Sequence, residues 1–271
     1  MKRNLLVVFS LILAGFLFFG CEKKEEVEEA AAPLVVAMEL QFPPFEMSNE
    51  QGEPTGISVE MAKALGEYLG RPVVIENTAW TGLIPSLQTG KADLIISSMT
   101  ITEERQKVID FSDPYIKSGL TLLIAKDSPV QGFDDLNAPG RVVAVKSGTT
   151  GALIAQEKLK QAEVRFFDEV AACVLEVAQG KADAFIYDAL TVYENHKKNR
   201  EATRVNLEDI PGTAGYWGVG VKKGNEALLK SVNEFIAAFR DEGGFDRIAE
   251  KYLKDLKEVF DQEGVPFFFD L

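Results

Sequence analysis

From Leu34 onward, short apolar runs alternate with stretches in which apolar residues recur every three or four positions. The runs at 34–39 (LVVAME), 72–76 and 92–97 read as strands, and the stretches at 58–69 (SVEMAKALGEYL) and 81–89 as amphipathic helices. The same order then recurs as strand 141–146 (RVVAVK), helix 150–161, strand 163–167, helix 169–179 and strand 182–187. A local motif recurs with it: Gly90-Lys91-Ala92-Asp93 leads into LIISS, and Gly180-Lys181-Ala182-Asp183 leads into AFIYD. Each copy reads as a helix-ending glycine, a short turn and a buried strand. Strands alternating with helices of this length predict parallel βαβ units. The expected fold is therefore α/β with two lobes, each a doubly wound, mostly parallel sheet. In such sheets ligands bind beyond the carboxyl ends of the strands, so Ser97 and Ser98 of one lobe are expected to face Tyr187 and Asp188 of the other across a cleft.

The remaining segments set the connectivity. GYWGVGVKKG followed by helices at 226–241 and 244–257 does not make a third lobe, so the chain is expected to cross between lobes twice. The crossings fall around Ser118–Ala125 and Ile210–Tyr216, a two-segment hinge. Lobe one is then 34–118 plus a return segment, 214–271, and lobe two is 119–213. The tail from Lys257, with Phe267-Phe268-Phe269, is predicted to pack an aromatic cluster on lobe one.

Residues 1–20 combine Met1-Lys2-Arg3 with an apolar run from Leu5 to Phe19 and read as a secretory signal. Gly20-Cys21 gives it a lipoprotein-like cleavage site with lipid attached at Cys21, although Phe18-Phe19 departs from the usual small-residue pattern. The alternative is an uncleaved N-terminal anchor, and both readings tether the protein to the outer face of a membrane in the periplasm. EKKEEVEEAAAP, ending at Pro33, reads as a tether within 21–33. The net charge of −13 makes nucleic acid a poor partner. Cys173 lies in an apolar pattern and reads as a small buried residue, with no intramolecular disulfide once Cys21 is lipidated. The single histidine, His196, sits in the polar stretch ENHKKNRE and reads as solvated, which excludes a histidine metal cluster and disfavours a histidine-dependent triad. No cofactor and no metal are expected, and the molecule is expected to be a monomer.

Arg105 follows Thr102-Glu103-Glu104 just after the strand that ends at Ser97-Ser98, with Thr102 as a helix N-cap. It reads either as a surface ion-pair residue or as a guanidinium that grips a carboxylate beside Ser98 and Thr100. Asp188 ends an apolar strand of the other lobe and reads either as an N-cap or as a partner for an ammonium group. Together they would recognise a zwitterion. Phe42 in FPPFE and Trp80 in NTAWTG read as aromatic walls or as core residues at loop edges, and Phe45 as core. Lys146-Ser147-Gly148-Thr149-Thr150 lies between a strand and a helix and suggests an anion-binding nest, without the full pattern of a nucleotide-binding loop.

FPPFE, GISVEMAKALGEYLG, GLIPSLQTGKADLIISSMTITEERQKVIDFSDPY, VVAVKSGTT, GKADAFIYD and GGFDRIAEKYL together resemble the extracellular solute-binding proteins of polar amino-acid ABC transporters, over nearly all of residues 34–255. The resemblance implies a type II periplasmic-binding-protein fold and an ABC transporter permease as partner. It implies that Arg105 binds the ligand's carboxylate with Ser97, Ser98, Thr100 and Thr150 around it, that Asp188 binds the ammonium, and that Phe42 and Trp80 enclose the ligand. Glu39 and Lys146 fall at positions bearing on specificity. Lys146 would disfavour a cationic side chain, and a neutral amide could use both residues, so a glutamine-like ligand is expected. Catalysis is the rival: the cyclohexadienyl dehydratases share this resemblance and use a carboxylic acid in the cleft, so a buried glutamate with a raised pKa, Glu39 or Glu46, is the feature to seek. A third possibility is a ligand-sensing partner of a membrane receptor.

Overall fold

The computed structural model describes residues 31–254 together with Glu258 and Phe269; the expected signal, Cys21 and most of the tail lie outside the described residues. In chain order, β1 (Leu34–Met38) is followed by the short strands β2 (Gln41–Phe42), β3 (Glu46–Ser48) and β4 (Pro54–Thr55). Then come α1 (Ile57–Leu69), β5 (Val73–Asn77), α2 (Leu83–Thr89), β6 (Leu94–Ile95), α3 (Glu103–Gln106), β7 (Ile109–Phe111) and β8 (Ile116–Ser118). The second half runs β9 (Leu120–Ala125), β10 (Val142–Lys146), α4 (Thr150–Lys158), β11 (Glu163–Phe167), α5 (Val170–Ala178), β12 (Ala184–Asp188), α6 (Ala189–Lys198) and β13 (Thr203–Asn206). β14 (Gly215–Trp217), β15 (Gly220–Lys222), α7 (Glu226–Asp241) and α8 (Gly244–Tyr252) follow.

Two five-stranded sheets result, ordered β5-β1-β6-β15-β7 and β11-β10-β12-β9-β13. In the first, β1 lies parallel between β5 and β6; in the second, β10 lies parallel between β11 and β12. Each sheet is completed by an antiparallel strand lying beside a crossing segment, β15 in the first and β9 in the second. The crossings themselves, β8 and β14, pair antiparallel as a two-stranded ribbon, with Gly215 opposite Ser118 and Trp217 opposite Ile116. The fold is α/β with mostly parallel sheets in two lobes.

The repeated motif has a physical cause that is the same in both lobes. Gly90 and Gly180 take left-handed backbone, with φ of 76° and 68°. The following amides then turn back to close the helix, Lys91 to the Ser86 carbonyl and Lys181 to the Glu176 carbonyl, both at 2.9 Å. Asp93 accepts the Val35 amide at 3.0 Å, and Asp183 accepts the Val142 amide at 2.9 Å, so each aspartate ties its turn to the start of the neighbouring strand, β1 or β10. Arg71 and Arg141 pair with these carboxylates, both at 3.3 Å.

Several expectations differ in detail. The segment LTLLIA, read as part of a crossing, is β9, a buried interior strand of the second sheet; the crossing narrows to β8 and Gly119. An antiparallel strand covered on both faces shows no alternation that would separate it from a connecting apolar run. The helix expected at 150–161 ends at Lys158, and Trp80–Gly82 is a 3-10 turn ahead of α2. Cys173 is fully buried. His196 is not simply solvated: it is half-buried near the end of α6, with Nδ1 3.0 Å from the hydroxyl of the buried Thr203. Phe269 stacks on Phe245 of α8 at 5.2 Å, while Phe267 and Phe268 lie outside the described residues. Among the described residues no helix is long and apolar enough to cross a membrane.

Candidate functional site

The carboxyl ends of the strands in both lobes meet at one cavity, whose roughly 400 Å³ of atom-free space includes open solvent at its mouth. It is lined by Glu39, Phe42, Trp80, Ser97, Ser98, Thr100 and Arg105 from the first lobe and by Leu120, Thr149, Thr150, Tyr187 and Asp188 from the second side. Nine of the ten residues singled out in the sequence as ligand contacts are in that lining; the tenth, Lys146, lies directly behind it.

Arg105 is buried, 7% exposed, and among the described residues no carboxylate forms an ion pair with it. Thr102 caps α3 by accepting the Arg105 amide at 3.2 Å, which fixes the backbone from which the guanidinium projects. Nη1 donates to the Thr100 carbonyl at 2.7 Å and Nη2 reaches across to the Gly148 carbonyl at 3.2 Å, while the Trp80 ring covers the guanidinium at 5.2 Å. All these partners are uncharged. Burial pushes the Arg105 pKa down to about 10, against the pull of Asp188 and Tyr187, so the group stays cationic at neutral pH. Asp188 stands at the N-cap position of α6, yet its side chain makes no cap hydrogen bond. Burial pushes its carboxyl up to about 7, against its own backbone amide and Arg105. The cavity thus holds a buried cation and a half-buried acid, and among the described residues neither forms an ion pair at contact distance.

Glu39 and Lys146 satisfy each other. They form a buried ion pair between the end of β1 and the end of β10, and the other Glu39 oxygen accepts the Trp80 amide at 3.2 Å. Beside them, Phe42 stacks on Phe45 at 5.5 Å and meets Trp217 and Tyr187 edge-on at 5.7 and 5.9 Å. Phe42 therefore touches an aromatic of the other lobe at the cavity floor, and Phe45 belongs to the core.

The loop after β10 is arranged as a helix start more than as a nest. Thr149 caps α4 by accepting the Ala152 amide at 3.3 Å and donates to the Lys146 carbonyl at 2.8 Å. The amides of Ser147 and Thr149 are taken by backbone carbonyls and that of Ala152 by the Thr149 hydroxyl, which leaves the amides of Thr150 and Gly151 at the positive end of α4.

Behind the serines lies Glu46, 1% exposed. The hydroxyls of Ser58 and Ser98 lie 2.6 and 3.0 Å from its Oε2, and that of Ser97 lies 3.4 Å from Oε1. Burial pushes its carboxyl up to about 8; the Ser58 and Ser98 hydroxyls pull it down and Glu39 pushes it further up. Ser98 is held with φ of 48°, alone among the described non-glycine residues in left-handed backbone, a strain that tends to collect at functional sites.

Three lining residues were not singled out as ligand contacts: Leu120 was hidden by its reading as a crossing, Thr149 was read only as part of the loop after β10, and Tyr187 was expected only to face the cleft. Among the described residues no group of three or more potential metal ligands comes together.

Residues 34–255 match the model of the bacterial extracellular solute-binding proteins, family 3. The chain is 33% identical over 221 residues to the L-cystine-binding protein of Escherichia coli K12, covering 81% of this chain and 82% of that protein. It is also 33% identical over 209 residues to the ABC transporter glutamine-binding protein of Bacillus subtilis 168, covering 75% of this chain and 74% of the relative. Among solved structures it is similar to the ancestral amino acid-binding protein AncCDT-1, a precursor of cyclohexadienyl dehydratase, with a TM-score of 0.73 and 38% identity over 81% of this chain and 95% of that one. An ancestral arginine-binding protein bound to glutamine gives a TM-score of 0.75 and 32% identity over 82% of this chain and 97% of the other.

Proposed function

Because the chain belongs to the bacterial extracellular solute-binding proteins of family 3, we propose that it captures a polar amino acid between its lobes and delivers it to an ABC transporter permease. One observation carries this reading: a buried Arg105 guanidinium and a half-buried Asp188 carboxyl share one cavity, and among the described residues neither forms an ion pair at contact distance. Leaving two charges desolvated and unpaired is costly, and a zwitterion that brings a carboxylate to Arg105 and an ammonium to Asp188 relieves both costs at once. Ser98, Thr100 and the start of α4 add donors around the carboxylate, and Phe42 and Trp80 enclose the aliphatic part.

The ligand's side chain is neutral and polar, as in glutamine. Glu39 reaches the cavity, but its charge is spent on Lys146, so a cationic side chain finds no free carboxylate there apart from Asp188. An amide can donate to Glu39 without breaking that pair.

The lobes are 34–118 with 214–271, and 119–213, turning about the β8–β14 ribbon. Residues 1–20 are a signal, and lipid on Cys21 anchors the mature protein on the outer face of the membrane.

An enzyme on the same fold is favoured by one feature, Glu46, a buried acid with a raised pKa. Glu46 does not line the cavity, however, and its oxygens are taken by three serines, so it has no direct approach to a ligand. The protein binds and does not turn over its ligand.

A thermal-shift screen of residues 33–271 against the twenty amino acids and prephenate tests the proposal. A ligand at a hundred times its Kd adds about 2.7 kcal/mol of stability. A shift confined to one or a few polar neutral amino acids, lost in Arg105→Ala with the melting temperature of the free protein little changed, is the expected result. Turnover of prephenate, or no shift with any amino acid, would overturn it.

A further inference from the structure

We propose that Glu46 is a positioning residue for the cleft: its carboxyl proton decides whether the Ser98 hydroxyl meets a ligand as a donor or as an acceptor. The inference rests on the reading above that an amino-acid carboxylate binds beside Arg105.

The geometry is a buried carboxyl group surrounded by hydroxyls, with no cationic partner among the described residues. An ionised carboxylate only accepts, and a serine hydroxyl has a single hydrogen. With Glu46 ionised, Ser58, Ser97 and Ser98 each turn that hydrogen toward it. The Ser97 oxygen already accepts the Glu39 amide at 2.9 Å. The two cleft serines then offer a ligand only lone pairs, which suits no carboxylate. With Glu46 neutral, its own O–H donates from Oε2 to Ser98, and the Ser98 hydrogen is released toward the cavity. The left-handed backbone at Ser98 keeps that hydroxyl between Glu46 and the cavity.

The groups around Glu46 leave this switch to it. Glu39, at the end of β1, disfavours its ionisation and is itself held by Lys146 from β10. Tyr115, just before β8, and Tyr187 on β12 are buried phenols whose pKa values burial raises well above 10, so both stay neutral. From α1 comes Ser58, while Glu60 on the same helix faces Lys251 and Tyr252. Arg105 and Asp188 stand in the cavity itself.

A bound carboxylate favours neutral Glu46, so affinity falls as pH rises through the Glu46 pKa of about 8. Asp188 acts on the other limb, losing its charge below about 7. The affinity profile is a bell with one shoulder belonging to each acid.

The test is the Kd for L-glutamine from pH 5.5 to 9 for the wild type, Glu46→Gln and Ser98→Ala, by titration calorimetry. If only the neutral form of Glu46 is competent, the wild type weakens about tenfold between pH 7 and 9. Glu46→Gln cannot ionise and keeps only the shallower loss from the ligand's own ammonium, which all three proteins share. Ser98→Ala removes the hydroxyl that transmits the effect and flattens the same limb, and it decides the matter alone if Glu46→Gln does not fold. Profiles of both variants that superimpose on the wild type overturn the inference while leaving the proposed function standing. Absence of L-glutamine binding by the wild type at every pH overturns the glutamine preference and this inference together.

Discussion

At the scale of residues, the cavity and the layer of side chains behind it concentrate groups whose burial opposes ionisation, and this has a consequence for stability that needs no ligand. Glu46 and Asp188 have folded-state pKa values raised to about 8 and about 7 from ordinary values of 4.5 and 3.8. For a carboxyl raised in the folded state, stability is fully present below the unfolded pKa and is lost as pH rises through the folded one. The ligand-free protein is therefore expected to lose stability between about pH 4 and pH 8, by several kcal/mol and at most about 9 kcal/mol for the two groups together. Urea unfolding across that window should show the decline in the wild type and a flatter course in Glu46→Gln and Asp188→Asn. A wild-type stability that rises across the window would contradict the burial of these two acids. The same physics explains what could be seen in the sequence at this scale. Asp188 stood out as a charge at the end of an apolar strand, and Arg105 as a cation in the short helix shortly after another. The state of Glu46 was not visible, because it depends on Ser58, Ser97 and Ser98 arriving from two other segments.

At the scale of elements, the repeated Gly-Lys-Ala-Asp was legible because it is solved locally: a helix stop and a carboxylate that ties the turn to the neighbouring strand. Removing the carboxylate leaves a backbone amide unpartnered, a loss on the order of 1–3 kcal/mol. Asp183→Ala is expected to cost more than Asp93→Ala, since Asp183 also accepts from Ser128 at 2.6 Å, and denaturation midpoints of the two variants would show the order. The join between the FPPFE loop and α1 is a second sensitive place. Gly56 has φ of 117°, and an added Cβ would sit 2.4 Å from the Phe45 carbonyl. Gly56→Ala should destabilise the fold and misplace Ser58 against Glu46, seen as a lower melting temperature and a weaker Kd. What the sequence did not disclose are elements too short for periodicity, such as the two-residue β2 and β6, and the interior place of β9, whose six residues are all buried. Their identity comes from partners far along the chain.

At the scale of the whole molecule, contacts across the cleft hold the lobes together. The Glu39–Lys146 pair, the Arg105 bond to Gly148 and the Phe42–Tyr187 edge contact all cross from one lobe to the other. Lys146→Met leaves Glu39 buried without its cation, so the closed form loses ground: the radius of gyration of the free protein in solution scattering should rise, and affinity should fall about tenfold or more. An unchanged radius with unchanged affinity would mean that the pair has no part in closure. The two sheets also differ in how they are drawn from the chain. The strands of the second all lie between β9 and β13, whereas the first takes β15 from beyond the whole of the second. A chain emerging from the ribosome or a translocation channel can therefore finish its later half first. Asp188 and Thr150 are in place while Arg105 still waits on an incomplete sheet, so the pocket is the last part of the molecule to come into being, and nascent chains remain unable to hold ligand until β15 has docked.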